Sequence, residues 1–300
     1  MRRAFHTLDV FTTERFAGNP LAVVLDAQGL DGAAMQRIAR EFNLAETVFV
    51  LEPRDPVNTA RLRIFTPTRE LPFAGHPTVG AAALIAQLRA PEMLRSGGLR
   101  IALEEEVGLV GCDVRLGAAP GAVYATFGLP RLPERAGEAP DAARLAEGLG
   151  LDPGDIGFGA HAPSRFSAGT PFTFVPLASP AAIVKAKPRE DLFAGDPPPA
   201  YFLYVRECET PGAAFHARMF ASGWGVAEDP ATGSAVAAFA GVLAECGGLG
   251  DGAHSFDVEQ GFEMGRPSLI SLGMAMERGR LVEASIGGAA VRVAEGFIEA

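Results

Sequence analysis

Lysine is nearly absent from this chain. Only Lys185 and Lys187 occur among 26 basic residues, which face 36 acidic ones for a formal net charge of -10. A protein that tracks phosphates needs a basic stripe, and no Lys/Arg run is present, so nucleic acid is not an expected partner. Cysteine is scarce too. Cys112, Cys208 and Cys246 form no CxxC and no Cys/His cluster with zinc spacing, which excludes a disulfide framework and points to reduced thiols in a cytoplasm. No GxGxxG follows a strand, and neither a P-loop nor HExxH occurs, so neither a nucleotide cofactor nor a catalytic metal is expected. Long apolar runs are missing. The longest helix-like one, 235–244, falls short of the ~20 residues that span a bilayer, and His6 and Asp9 interrupt the opening segment where a signal peptide would be apolar. No membrane partner is expected.

What is present is an ordinary globular composition, with 48% hydrophobic and 21% charged residues over 300 positions. That length allows one large domain or two of about 150 residues. Strands are expected at 4–11, 21–25, 47–51 and 61–65. A helix is expected from an Asp31 cap to Asn43, because Met35, Ile38, Ala39 and Phe42 repeat at helical spacing. A loop over 66–77 leads into an apolar helix over 78–86 with almost no polar face. Segments 99–103 and 107–116 read as a hairpin whose turn, Glu104 to Glu106, carries solvated charges. The Gly, Pro and Ala-rich stretch 117–142 reads as a linker.

The second half repeats the plan. Strands are expected at 172–177, 201–205 and 215–220, and the last carries Arg218-Met-Phe220 as an earlier one carries Arg63-Ile-Phe65. A loop over 221–233 again opens an apolar helix, 234–243. Further strands are expected at 255–258, 269–274, 281–286 and 290–293. The expected fold is α+β: two halves of similar build, each wrapping a mainly antiparallel sheet or barrel around one central apolar helix. The halves are placed at 1–118 plus 280–300 and at 119–279.

The loops before the two apolar helices are the candidate sites. A helix N-terminus offers unpaired N–H groups and a partial positive charge, which suits a carboxylate. Gly75-His-Pro-Thr78 and Ala231-Thr-Gly-Ser234 are either such anion sites or plain helix caps. Asp229 is either a site carboxylate or the turn former of Asp229-Pro230. His76 is a structural residue, a ligand or a proton relay. Glu46, at the mouth of an apolar strand, is either solvated or enclosed. If enclosed, it is a competent general acid/base near neutral pH. Neither loop holds a cysteine, which disfavours thiol-pair racemisation.

Several segments together resemble the phenazine-biosynthesis, PhzF-like isomerase family, whose fold is that of diaminopimelate epimerase. They are Asp9-Val-Phe11 with Phe16-Ala-Gly-Asn-Pro20, Met35 to Glu46, Arg63-Ile-Phe-Thr-Pro67 with Glu70-Leu-Pro-Phe-Ala-Gly-His-Pro77, Arg218-Met-Phe220, Glu228-Asp-Pro-Ala-Thr-Gly-Ser234, and Gln260-Gly-Phe-Glu-Met-Gly-Arg-Pro-Ser268. The resemblance implies a homodimer, no cofactor, and an active site in the cleft between the halves. It implies Glu46, His76 and Asp229 as catalytic residues, and Asn19, Gly75, Thr232, Gly233 and Ser234 as substrate-binding ones. Ala45 departs from the family, where a serine often precedes the glutamate, and 157–175 is unlike the phenazine-pathway members. The reaction implied is proton transfer on a small cyclic or amino carboxylic acid, as in trans-2,3-dihydro-3-hydroxyanthranilate isomerase. An amino-acid epimerase or racemase and a non-catalytic dimeric carboxylate-binding protein are the alternatives.

Overall fold

A computed structural model describes residues 1–246 and 248–300. The chain divides into two compact units, Met1–Pro130 with Gly287–Ala300, and Arg131–Ile286.

The first unit contains strands β1 (Arg2–Val10), β2 (Asn19–Val24), β3 (Glu46–Leu51), β4 (Ala60–Phe65), β5 (Glu70–Leu71), β6 (Leu99–Glu105), β7 (Gly108–Leu116) and β8 (Ala122–Gly128). Its helices are α1 (Gly32–Phe42), α2 (Gly75–Arg89) and α3 (Pro91–Arg95). Pairing runs β1–β2 antiparallel, β2–β3 parallel, β3–β4 antiparallel, β4–β6 parallel, then β6–β7 and β7–β8 antiparallel. The last strand of the chain, Arg280–Glu299, pairs with both β8 and β1 and closes the ring. Helix α2 packs against β1, β2, β3, β6, β7 and β8, so it fills the barrel. This explains its missing polar face, since Val79, Ala81, Ala82, Leu84 and Ile85 are all essentially inaccessible. Burying Leu84 or Ile85 alone stabilises the unit by about 1.5–3 kcal/mol. Helix α1 lies outside the barrel. Its Met35 and Ala39 pack on Phe49 and Phe65, with Ile38 and Phe42 beside them, as the spacing predicts.

The second unit follows the same order with β9 (Glu134–Arg135), α4 (Ala142–Leu149), β10 (Ser164–Ser167), β11 (Pro171–Pro176), α5 (Pro180–Lys185), β12 (Tyr201–Val205), β13 (Phe215–Ala221), β14 (Val226–Asp229), α6 (Gly233–Glu245), β15 (Gly252–Gln260) and β16 (Ser268–Glu277). Along β10, β11, β12, β13, β15 and β16 the pairings alternate antiparallel, parallel, antiparallel, parallel, antiparallel, as they do along β1 to β7. Helix α6 packs against β9, β10, β11 and β16, and Phe239 at its middle meets Phe174, Tyr204 and Phe215. The expected α+β fold of two like halves is what the chain forms.

Four expectations need correction. The stretch 117–142 is no mere linker, because β8 runs through it with Ala122, Val123, Ala125 and Phe127 buried; its glycines and prolines flank a strand. Helix α2 opens at Gly75, three residues early, since Pro77 is compatible with a first helical turn. The final strand is one element of 20 residues rather than two. Strand β6 continues through Glu105, whose alternation places it inward and buried while Glu104 faces out. Among the described residues no helix is long and apolar enough to cross a membrane.

Candidate active site

Glu46 is positioned by the stop of the helix before it. Asn43 takes a left-handed conformation at φ 51, and its N–H caps Ala39. The chain then enters β3 at Glu46, level with Leu21 on the parallel neighbour β2. Asn19, fully buried, stands two residues earlier on β2, so it lies at the same end of the paired strands. The turn before it is strained. Phe16 has φ 70, and its N–H donates to the buried Asp9 carboxylate at 2.6 Å. A Cβ on Gly18, at φ 64, would come within 2.4 Å of the Val10 carbonyl oxygen, so only glycine fits there.

His76 is the second residue of α2. Its Nε2 lies 3.3 Å from Glu46 Oε2. Burial pulls the imidazole down to about 3, so it is neutral at physiological pH and the contact is no ion pair. A neutral ring has one N–H to give and one lone pair to receive with, which suits a partner in proton transfer. The helix start adds donors. Ala74 at the N-cap makes no side-chain cap bond, and Pro77 carries no N–H, so the amides of Gly75 and His76 are the ones left for a ligand.

The second unit builds its own group on the opening of α6. Asp229 ends β14, opposite Met219 on β13. It is buried, and one oxygen accepts the Thr232 hydroxyl at 2.5 Å. Thr232 is the N-cap without a cap bond of its own, so the amides of Gly233 and Ser234 stay uncapped; Ser234 is half-buried. Gln260 fixes this turn. Its side-chain NH2 donates to the Asp229 carbonyl at 2.6 Å and to Thr232 Oγ1 at 3.0 Å, and its oxygen accepts the Thr232 N–H at 3.1 Å.

The predicted residues therefore fall into two groups, Asn19, Glu46, Gly75 and His76 in one unit and Asp229, Thr232, Gly233 and Ser234 in the other. The segment holding Gln260 stood out in the sequence, but nothing in it told which side chain turned inward. Glu105, whose Oε1 lies 2.8 Å from the Thr78 hydroxyl in the first turn of α2, was hidden in an acidic triplet. Among the described residues no group of three or more His, Cys, Asp or Glu side chains could hold a metal ion. His216 lies between two carboxylates, Glu259 at 2.7 Å and Glu263 at 3.0 Å, but each ring nitrogen faces one of them, as in a protonated imidazole.

The two units differ at the strand mouth. Thr47 stands opposite Phe65, and Tyr201 stands opposite Phe220, so the residue that corresponds to Glu46 is Ala200. One unit presents a carboxylate there and the other a methyl group.

Comparison with known proteins places the chain. The sequence profile of the phenazine biosynthesis-like protein family matches residues 8–296. An uncharacterized isomerase of Mesorhizobium japonicum is 46% identical over 98% of each chain. The trans-2,3-dihydro-3-hydroxyanthranilate isomerase of Pseudomonas aeruginosa is 36% identical, over 94% of this chain and 95% of its own. The crystal structure of a PhzF-family protein of Bacillus anthracis superposes with a TM-score of 0.87 at 26% identity, covering 100% of both chains. A profile that spans nearly the whole chain, and full-length relatives that are isomerases, make this protein an isomerase-class member of the phenazine biosynthesis-like protein family, with the diaminopimelate epimerase-like fold.

Proposed function

We propose that this chain is a cofactor-independent isomerase that moves a proton within a small cyclic or amino carboxylic acid, with Glu46 as the acid/base. The Glu46 carboxylate takes a proton from a carbon beside an unsaturated system. The electron pair of that C–H bond shifts along the conjugated bonds, and Glu46 returns the proton to the carbon at the far end. Nothing is gained or lost by the substrate. The neutral His76 keeps Glu46 oriented and hydrogen-bonds a substrate hydroxyl or amine. Asp229, Thr232 and Ser234 hold the substrate's polar groups, and the amides of Gly75 and Gly233 steady its carboxylate. General acid–base help of this kind is worth about 10²–10⁴-fold.

The observation that carries this reading is the 3.3 Å contact between Glu46 and an imidazole that burial keeps uncharged. A two-base epimerase needs a second base on the opposite face of the carbon. Ala200 at the corresponding strand mouth, and the absence of cysteine from 66–77 and 221–233, favour a single base instead.

The test uses trans-2,3-dihydro-3-hydroxyanthranilate, the compound for which the P. aeruginosa relative is named, in deuterated water. Turnover is expected to carry deuterium into the product. Glu46→Gln is expected to abolish this while leaving ligand affinity within a few fold. Label incorporation by Glu46→Gln at the wild-type rate removes Glu46 from the reaction. We further propose a cytoplasmic homodimer, for which light scattering on the purified chain should return twice the mass of 31.3 kDa.

A further inference from the structure

Two buried side chains occupy matching places in the two units. On the parallel pair β4–β6, Arg61 stands opposite Glu104, and on β13–β15, His216 stands opposite Glu259. Glu104 accepts the N–H groups of Arg54 at 2.8 Å and Asp55 at 2.9 Å, and Glu259 accepts those of Glu209 and Thr210, both at 2.7 Å. The two strands thus share one register and one loop anchor. The next residue in each turns to the opposite face, toward the central helix. It is Glu105 in one unit and Gln260 in the other. Both are buried, and each reaches the turn that opens its helix, Glu105 through Thr78 and Gln260 through Asp229 and Thr232.

A proton count at Thr78 favours the neutral form of Glu105. The Thr78 hydroxyl lies 2.8 Å from the Ala74 carbonyl and 2.8 Å from Glu105 Oε1, yet it has one proton. Threonine in a helix gives that proton to the carbonyl four residues back. While Thr78 gives its proton to Ala74, a hydrogen between Thr78 and Glu105 can come only from a protonated Glu105; a charged Glu105 instead accepts the Thr78 proton. Glu105 Oε2 is sealed from solvent with no hydrogen-bond partner among the described residues, a poor setting for a charge. Burial accordingly pushes Glu105 up to about 8. A protonated carboxyl has the shape of a primary amide, and Gln260 is that amide in the other unit.

We propose that Glu105 and Gln260 are twin positioning residues that hold the turns opening α2 and α6 in their substrate-binding form. Glu105 does so only as the neutral acid. This rests on the proposed reading of those turns as the substrate's anchors. Once ionised, Glu105 draws the Thr78 proton away from Ala74 and leaves a buried negative charge beside the α2 N-terminus. That charge offsets the partial positive end that grips a substrate carboxylate. The groups around Glu105 are Glu104 and Glu106 along the chain, and Arg54, Arg61, Arg63 and Glu70 around an adjoining cavity of about 430 Å³. On β7 the Cys112 thiol, pushed up to about 12, stays neutral in the same range, as does His76 on α2.

The experiment measures KM and kcat for trans-2,3-dihydro-3-hydroxyanthranilate from pH 6.5 to 9. In wild type KM should rise about tenfold above pH 8, with kcat changed by less than about twofold. Glu105→Gln should keep the neutral-pH KM and lose the alkaline rise, whereas Glu105→Ala should raise KM at every pH. Gln260→Glu should carry a pH-dependent KM into a Glu105→Gln background that is otherwise flat. An alkaline rise that persists in Glu105→Gln overturns the proposal. So does a fall in kcat that merely follows the loss of folded protein. Two further readouts do not need turnover. The difference infrared spectrum of wild type minus Glu105→Gln at pH 7 should contain the carbonyl band of a protonated carboxylic acid, and the protection factors of the amides of residues 74, 75, 76 and 78, corrected for base-catalysed exchange, should fall above pH 8 in wild type alone. If the compound neither binds nor turns over, the proposed function fails, and these two readouts still decide whether Glu105 holds the turn.

Discussion

The imidazole of His76 meets the carboxylate of Glu46 at 3.3 Å while carrying no charge of its own. With its proton affinity suppressed to about 3 by burial, His76 does not titrate between pH 5 and 8. The profile of kcat/KM against pH should therefore lack a histidine limb near 6.5. His76→Gln, which keeps a donor but not the ring, should lower kcat by about 10²-fold. The same depressed affinity links to stability. The unfolded chain binds a proton at this histidine near 6.5 and the folded chain only near 3, so its contribution is present above 6.5 and is lost as pH falls toward 3. Steady-state rates across pH for wild type and His76→Gln check the catalytic points, and denaturant unfolding of both between pH 3 and 7 checks the stability.

His216 has the opposite sign. Burial alone lowers its proton affinity, but hydrogen bonds to Glu259 and Glu263 outweigh that and raise it to about 9. Its stabilisation is complete below the unfolded value near 6.5 and disappears as pH rises through 9. His216→Gln should lower stability by about 2–4 kcal/mol at pH 6, because the buried Glu259 and the partly buried Glu263 lose their cation. The gap to wild type should narrow by pH 10. Calorimetric melting between pH 6 and 10 reads both slopes.

The sequence showed most clearly those features that depend on local pattern. Asp31 and Asn43 bound α1 as their chemistry requires, and Tyr201 to Val205 is a strand to the residue. The two apolar helices were visible because a helix inside a barrel has no polar face to hide. Glu46, His76 and the Asp229 turn were named from motif and position, and the geometry of the first two rests on a contact between residues 30 apart that no local pattern encodes. Glu105 was misjudged for the same reason. Three consecutive glutamates look solvated, but strand alternation sends the middle one inward, and whether β6 reaches that far depends on its pairing with β7. The loop anchors Glu104 and Glu259 likewise became visible only through the shared register of distant strands.

Gly80 shows how closely α2 fits its barrel. A Cβ at this position would stand 2.5 Å from Leu21 Cδ2 and 2.8 Å from Val10 Cγ2, both fully buried. The helix is in an ordinary conformation there, so alanine would be favoured by intrinsic propensity by about 1 kcal/mol. Overpacking against β1 and β2 costs about 1–3 kcal/mol and should win. Gly80→Ala is thus expected to lower the urea midpoint without changing the slope of the transition. An unchanged or higher midpoint would mean that the barrel yields to the helix.

The arginines of the two Arg-x-Phe strands each clasp one glutamate with two hydrogen bonds, and burial should make the energies of these pairs differ. Arg63 clasps Glu70 with two bonds of 2.6 Å, but the two side chains remain 29% and 33% exposed. Arg218 clasps Glu228 at 2.8 and 2.9 Å with 10% and 17% exposure, and its remaining NH group donates to the carbonyls of Ile183 and Ala186 at the end of α5. Water and salt screen the first pair, so Arg63→Ala should cost no more than about 1 kcal/mol, with a penalty that shrinks as salt is added. Arg218→Ala leaves a largely buried carboxylate and two helix-end carbonyls without their donor, and should cost about 3–5 kcal/mol with little dependence on salt. Replacing both partners, Arg218→Met with Glu228→Leu, should recover much of that loss, because the penalty lies in stranding a charge rather than in losing an attraction. Denaturant titrations of the two single variants and the double one, at low and high salt, separate these cases. Equal losses for Arg63→Ala and Arg218→Ala would show that burial is not what sets the strength of the pairs.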